Sequence, residues 1–173
     1  MTRLPILLLL AAALPAAALS EPDGLAPRLR APTSEEPAFV LTAQGAQLFE
    51  CKPNEAGDSY AWKFVSSDVQ LFDGARSVAT QTSPTQMEST ADRTSVVASP
   101  LSSQDAGSGN LPWASFSAQA TGDTGLFAGV TRILRVNTRG GVAPADGCDA
   151  GHTGTSTRVP FAADYYLYKR RAA

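Results

Sequence analysis

Two stretches decide how this chain is read: Gly125-Leu-Phe-Ala-Gly-Val-Thr-Arg-Ile-Leu-Arg-Val-Asn-Thr-Arg-Gly-Gly141 and Thr157-Arg-Val-Pro-Phe-Ala-Ala-Asp-Tyr-Tyr-Leu-Tyr-Lys169. Neither carries an apolar stripe at helical spacing. Side chains alternate with a period of two, which marks a half-buried strand. The first predicts a strand over Leu126–Val136, bounded by the turns Thr121–Gly125 and Asn137–Gly141. The second predicts a last strand over Thr157–Lys169. There Val159, Phe161, Ala163, Tyr165 and Leu167 share one face, and Arg158, Pro160, Ala162, Asp164, Tyr166 and Tyr168 share the other.

The same pattern extends outward. Trp113–Ala120 reads as a strand, and Val142–Ser156 as a loop rich in Gly, Asp and Ala. Toward the N-terminus, Ala38–Ala43 and Ala46–Cys51 flank Gln44-Gly45, which predicts a tight hairpin. Pro53–Asp58 is a loop by composition, and Tyr60, Trp62 and Phe64 alternate with Ala61, Lys63 and Val65. Val69–Phe72 follows, then the turn Asp73-Gly74. In residues 77–110, 13 of 34 side chains are Ser or Thr. That richness limits the expected strands to Ser77–Thr82 and Thr94–Ala98 and makes Ser99–Asn110 an exposed loop. The reading is therefore all-β: a single-domain antiparallel β-sandwich, or a small partly open β-barrel, of about eight or nine strands. With no strand–helix alternation, a dinucleotide-binding fold is excluded.

The ends of the chain differ from its middle. Residues 1–20 have a basic start at Arg3, an apolar run from Leu4 to Leu14, and small residues that permit cleavage after Ala18 or Ser20. This is the pattern of a signal peptide and predicts a periplasmic or secreted protein. The run is too short to span a bilayer, and no later segment is apolar for long enough, so no transmembrane segment is expected. Residues 21–37 hold Pro22, Pro27, Pro32 and Pro37 and read as a flexible lead-in. The β domain is expected over 38–169, with a basic tail at 170–173.

Composition narrows the function classes. Charged residues are 17% of the chain and the formal net charge is −2, which excludes a general nucleic-acid binder. The chain has two cysteines and one histidine, too few for a four-ligand Cys/His zinc site, and it has no glycine-rich phosphate loop. No cofactor and no metal are expected. Export to an oxidising compartment predicts a Cys51–Cys148 disulfide, and the absence of Cys-x-x-Cys spacing argues against a redox role.

Two clusters are candidate sites. On the strand Leu126–Val136 the more apolar face reads Leu126, Ala128, Val130, Arg132, Leu134 and Val136, with Arg132 in its middle. A guanidinium on a core face must be paired or line a wet cavity. Asp164 and Tyr166 on the last strand are its expected partners, as the polar floor of a binding pocket. The alternative is a structural ion pair, and a single bulge would swap the faces. The second cluster is Asp146, Asp149 and His152 in the loop around Cys148. A divalent ion accepts mixed carboxylate and imidazole ligands, but the spacing matches no specific metal loop, and the alternative is a Gly-rich surface loop whose aspartates cap turns. Charge is also uneven. Residues 21–125 carry 13 acidic and 6 basic groups, whereas 126–173 carry 3 and 7. Arg132, Arg135, Arg139, Arg158 and Lys169–Arg171 thus offer an anion-friendly face, or merely solvated sheet edges.

The run Gly125–Pro144, the tripeptide Gly147-Cys-Asp149 and the segment Arg158–Tyr168 resemble the signature of an uncharacterised family of exported proteins, domain of unknown function 3455. The resemblance extends from about Phe39 to Tyr168. In the middle the chain departs from it: Gln81-Thr-Ser-Pro-Thr-Gln-Met87 stands where the family has a His followed by a Gly-Pro-Thr-Trp-like segment. The resemblance implies export and cysteines near positions 51 and 148, and it carries no catalytic residue. The function expected is a non-catalytic envelope or secreted module that binds a small-molecule or glycan ligand. An extracytoplasmic hydrolase or isomerase, and a structural envelope protein, are the alternatives.

Overall fold

The computed structural model describes residues 19–172. The signal-peptide reading of residues 1–20, with cleavage after Ala18 or Ser20, falls almost wholly outside the described residues. The strands are β1 (Glu35–Pro53), β2 (Tyr60–Asp73), β3 (Arg76–Ser83), β4 (Gln86–Ser89), β5 (Ser95–Gln104), β6 (Trp113–Ala120), β7 (Val130–Gly140) and β8 (Ser156–Arg170). They follow one another in chain order around a closed antiparallel barrel of eight strands. The long strands β1 and β8 close it, paired from Glu35↔Arg170 to Glu50↔Ser156. Closure gives every strand a neighbour on each side, so the sheet has no terminal edge strand. Among the described residues no helix is long and apolar enough to cross a membrane.

The period of two puts alternate side chains inside. Phe161, Ala163, Tyr165 and Leu167 of β8 meet Leu41, Ala43, Val69, Leu71 and Ile133 in the interior. The pocket reading turns the opposite face of β8, with Asp164 and Tyr166, inward; the structure buries this one instead. β6 has the expected bounds.

Elsewhere the chain departs from its pattern for physical reasons. Gln44-Gly45 is no hairpin: β1 runs straight through it, with Gly45 opposite Val69 and Phe161. A Cβ at Gly45 would overlap the Asp68 carbonyl and lie 2.7 Å from Val69 Cα. The glycine therefore serves close approach of backbone rather than a turn. The Ser/Thr-rich stretch is more ordered than its composition suggests. β4 lies within it, and β5 extends to Gln104 in place of the expected loop. In the expected turn Asn137–Gly141, β7 instead continues to Gly140, with Asn137 (φ 51°) at a register shift.

β7 also starts four residues late. Leu126–Gly129 form a turn clasped by Asp92 and Thr94, which accept from Leu126 N (2.8 Å) and Phe127 N (3.3 Å). A register shift between Val130 and Arg132 then exchanges the faces. Ile133 and Arg135 point inward. Leu134 and Val136, expected in the core with Arg132, point outward.

That outward apolar surface explains a further correction. Residues 21–37 are not a free lead-in. Leu25 and Leu29 are buried against Leu134, Val136 and Tyr168 on the outside of the barrel, with Trp113 and Tyr166 beside them. Polar clasps fix this strap: Ala26 N donates to Gln104 Oε1 (2.8 Å), Arg28 Nε to Ser103 O (2.8 Å), and Ser102 Oγ to Arg28 O (2.7 Å). Prolines shape the strap and two leucines hold it.

Candidate functional site

One end of the barrel is formed by the β1–β2, β3–β4, β5–β6 and β7–β8 connections. A cavity of about 370 Å³ opens there, with Phe49, Phe64, Pro84, Leu111, Phe116 and Val142 in its wall. The rings of Phe49 and Phe64 meet edge to face at 5.9 Å. A register shift between Leu48 and Phe49 gives β2 one extra residue, which turns Phe64 into the mouth. Phe64 and Val142 stay partly open to solvent, 41% and 38% exposed, so the rim is apolar as well as the wall.

The chain crosses the mouth after β7 at Gly141, whose φ is +84°. A Cβ there would lie 2.8 Å from Phe161 Cδ2 and 2.9 Å from Leu111 Cδ1, so glycine alone fits both the angle and the space. The disulfide Cys51–Cys148 pins this loop to β1 across a sequence separation of 97. Cys51 N donates to Thr155 O and Trp62 Nε1 to Asp146 O, both at 2.9 Å.

Polar groups line the depth of the cavity. Gln47 Oε1 accepts from Ser67 Oγ (2.7 Å), with both residues buried. Arg135 is 8% exposed and is the one charged side chain in the cavity wall. Its Nε (3.3 Å) and Nη2 (2.9 Å) donate to a single neutral acceptor, Pro112 O. Its Cζ lies 5.5 Å from the centroid of Phe116. Among the described residues it has no carboxylate partner. Deeper still, Tyr165 Oη donates to Gln81 Oε1 (3.0 Å), while the buried Gln81 Nε2 has no partner among the described residues. Burial pushes the Tyr165 phenol up, against the opposing field of Arg135. A buried cation beside neutral partners is costly unless an anion or water reaches it.

The residues singled out by sequence lie elsewhere. Arg132 is outside the barrel, where Nε donates to Glu35 Oε2 (2.6 Å) and Nη1 to Ser115 Oγ (3.0 Å). The expected convergence with Asp164 is replaced by this pair. Asp164 instead accepts from Asn137 Nδ2 (2.8 Å) and Thr42 Oγ1 (3.4 Å). Tyr166 stands two residues along β8 and packs beside the strap, its phenol pushed up by partial burial and by Asp164. All three share the outer surface of β7 and β8, and none is in the cavity wall.

The loop cluster is a turn cap. Asp149 Oδ1 receives Gly151 N and His152 Nδ1, each at 2.8 Å, and these bonds, His152's first, hold its carboxyl below the usual range. Asp146 contributes its backbone carbonyl to Trp62. Among the described residues no group of three or more His, Cys, Asp or Glu side chains is placed to hold a metal.

A second cavity, also of about 370 Å³, lies at the opposite end, against Asp92 and Leu126. Here the Asp92 carboxylate ties β5 to the start of β7. It accepts from Thr94 Oγ1 (2.6 Å), Thr94 N (2.9 Å) and Leu126 N (2.8 Å), which hold its pKa far below the ordinary carboxylate range. That end is a structural clasp.

Sequence reasoning missed Gln47 and Gln81, and it named Arg135 only as part of a surface basic face, not as an inward side chain. The available signal was parity: Gln47 stands in step with the apolar Leu41, Ala43 and Phe49 of its strand, and only an inward polar group fits that pattern. No curated protein and no solved structure matches the chain. A family model of proteins of unknown function, DUF3455, matches residues 79–169, a span from β3 to β8 that includes Arg135, Cys148 and Tyr165. The match covers more than half of the chain, and the protein belongs to the DUF3455 family.

Proposed function

We propose that this protein is an extracytoplasmic binding module that takes a small, largely apolar molecule into the barrel mouth and does not transform it. One observation carries the reading: the mouth is an apolar cavity of about 370 Å³ with few polar groups, Gln47 and Arg135 chief among them, set in its depth. Small-molecule sites have this composition, and this volume lies near the lower end of their usual ~300–1,000 Å³. Such a wall offers too few donors and acceptors for the hydroxyls of a glycan. It also pairs no nucleophile with a base: the single histidine of the chain, His152, is exposed in the loop and bonded to Asp149. Periplasmic or secreted residence is supported by the leader-like residues 1–20 and by a disulfide suited to oxidising compartments.

The test uses N-phenylnaphthylamine, a neutral fluorescent apolar probe, on the oxidised protein. Saturable one-to-one binding is expected, with a rise in melting temperature. Ala143→Trp places an indole in the mouth and should abolish binding while the barrel stays folded. Absence of saturable binding, or binding indifferent to a folded Ala143→Trp variant, overturns the proposal.

A further inference from the structure

We propose that the mouth selects a monocarboxylate, its head group paired with Arg135 and its apolar body lying along Phe49, Phe64 and Phe116. This rests on the mouth being a ligand site and names the class of ligand.

The argument starts from register. Arg135 lies opposite Ala114 on one side and Tyr165 on the other, both inward-facing, so its side chain is committed to the interior. Desolvating a guanidinium demands compensation. The compensation within the chain is the Pro112 carbonyl, the face of Phe116 and the neighbouring Tyr165 hydroxyl. All three are neutral. Pro112 O takes only Nε and Nη2. A guanidinium so placed presents a planar donor edge that fits a carboxylate.

The charge count selects a monoanion. Arg135 is the one charged side chain in the cavity wall, so a doubly charged phosphate would bring a second charge into an apolar cavity with nothing to meet it. A neutral ligand would leave the guanidinium as it is and gain nothing from it. Gln47, buried in the same wall, carries an amide that can donate to a ligand oxygen. Toward the rim the wall is phenylalanine, proline and valine, which suits an alkyl or aryl body.

The experiment is calorimetric titration of the oxidised full chain with two matched pairs, octanoate against octanol and hydrocinnamate against hydrocinnamyl alcohol. Each carboxylate is expected to bind about ten- to hundredfold more tightly than its alcohol, the factor for a hydrogen-bonded charge. Arg135→Met should remove that preference, so that in the variant each acid binds no more tightly than its own alcohol. Lowering the pH through roughly 4–5 should weaken octanoate binding, as the ligand protonates, without affecting octanol. Tyr165, beside Arg135, stays protonated throughout this window, since even an ordinary phenol titrates near ~10.

Arg135→Lys, which keeps the charge, and the pH series on the unaltered protein decide the matter if Arg135→Met does not fold. Alcohols that bind as tightly as acids overturn the carboxylate assignment while the mouth remains a ligand site. Failure of both pairs and of the neutral fluorescent probe overturns both readings.

Discussion

Replacing Cys51 and Cys148 together by alanine removes the one covalent tie between β1 and the loop that walls the mouth. Alanine is chosen because Cys51 is fully buried and a serine would strand a hydroxyl there. The bond spans a sequence separation of 97. Chain entropy for a closed loop of about 100 residues corresponds to about 4.7 kcal/mol. The folded loop keeps other ties: Cys51 N to Thr155 O, Gly154 N to Cys51 O and Trp62 Nε1 to Asp146 O, each at 2.9 Å. Its geometry should therefore survive, and the loss arises mainly in the unfolded chain. The expected loss is about 3–5 kcal/mol, or roughly 2–4 °C of melting temperature per kcal/mol for a domain of this size. Urea melts of the oxidised and double-alanine proteins measure it. Because the uncrosslinked chain unfolds more fully, the m-value should rise as the midpoint falls. A loss below about 1 kcal/mol with an unchanged m-value would refute the reasoning.

Other perturbations probe the strap, the outer ion pair and the lower clasp. Leu29→Ala should cost about 2–5 kcal/mol in a urea melt, since Leu29 is fully buried between strap and barrel; a cost under ~1 kcal/mol would mean that the strap contributes little. Arg132 and Glu35, whose side chains are 17% and 12% exposed, should show a coupling of about 1–3 kcal/mol in a double-mutant cycle. The cycle of Arg132 with Asp164 should be additive to within about 0.5 kcal/mol, and the reverse ranking would contradict the observed pairing. Asp92→Asn should lower the melting temperature at neutral pH. A carboxylate whose folded pKa is depressed contributes stability in full above its unfolded value, near ~3.9, and loses it as the pH falls through the folded value. The gap between wild type and variant should thus hold from about pH 7 to 5 and narrow progressively below about pH 4. A gap undiminished at about pH 2 would contradict the clasp.

The all-β class and the two faces of β8 were legible because alternation survives there without interruption, although the pocket reading turned the wrong face inward. Val159, Phe161, Ala163, Tyr165 and Leu167 keep one parity through the strand. The site was not legible, and the reason is local. One register shift after Val130 exchanges the faces of β7, so the arginine that sequence placed inside, Arg132, lies outside, and Arg135 takes the interior. Bulges leave no fixed residue signature, and a parity argument fails silently at each one. Gly45 misled in a different way, because a glycine needed for close backbone approach has the same letter as one needed for a turn. The strap escaped notice because its proline content masks two leucines four residues apart, whose partners, Leu134 and Val136, face outward only once the register shift is known.

The measurement that bears most directly on the account is a methyl NMR titration of the oxidised protein with N-phenylnaphthylamine, whose rings shift nearby methyl resonances strongly. Saturable shifts are predicted at Leu111 and Val142, in the wall of the mouth, with none at Val65, Val97 and Leu101, which are exposed elsewhere on the surface. Shifts centred on Val65, Val97 or Leu101, or no saturable shift at Leu111 and Val142, would contradict the assignment of the mouth as the ligand site.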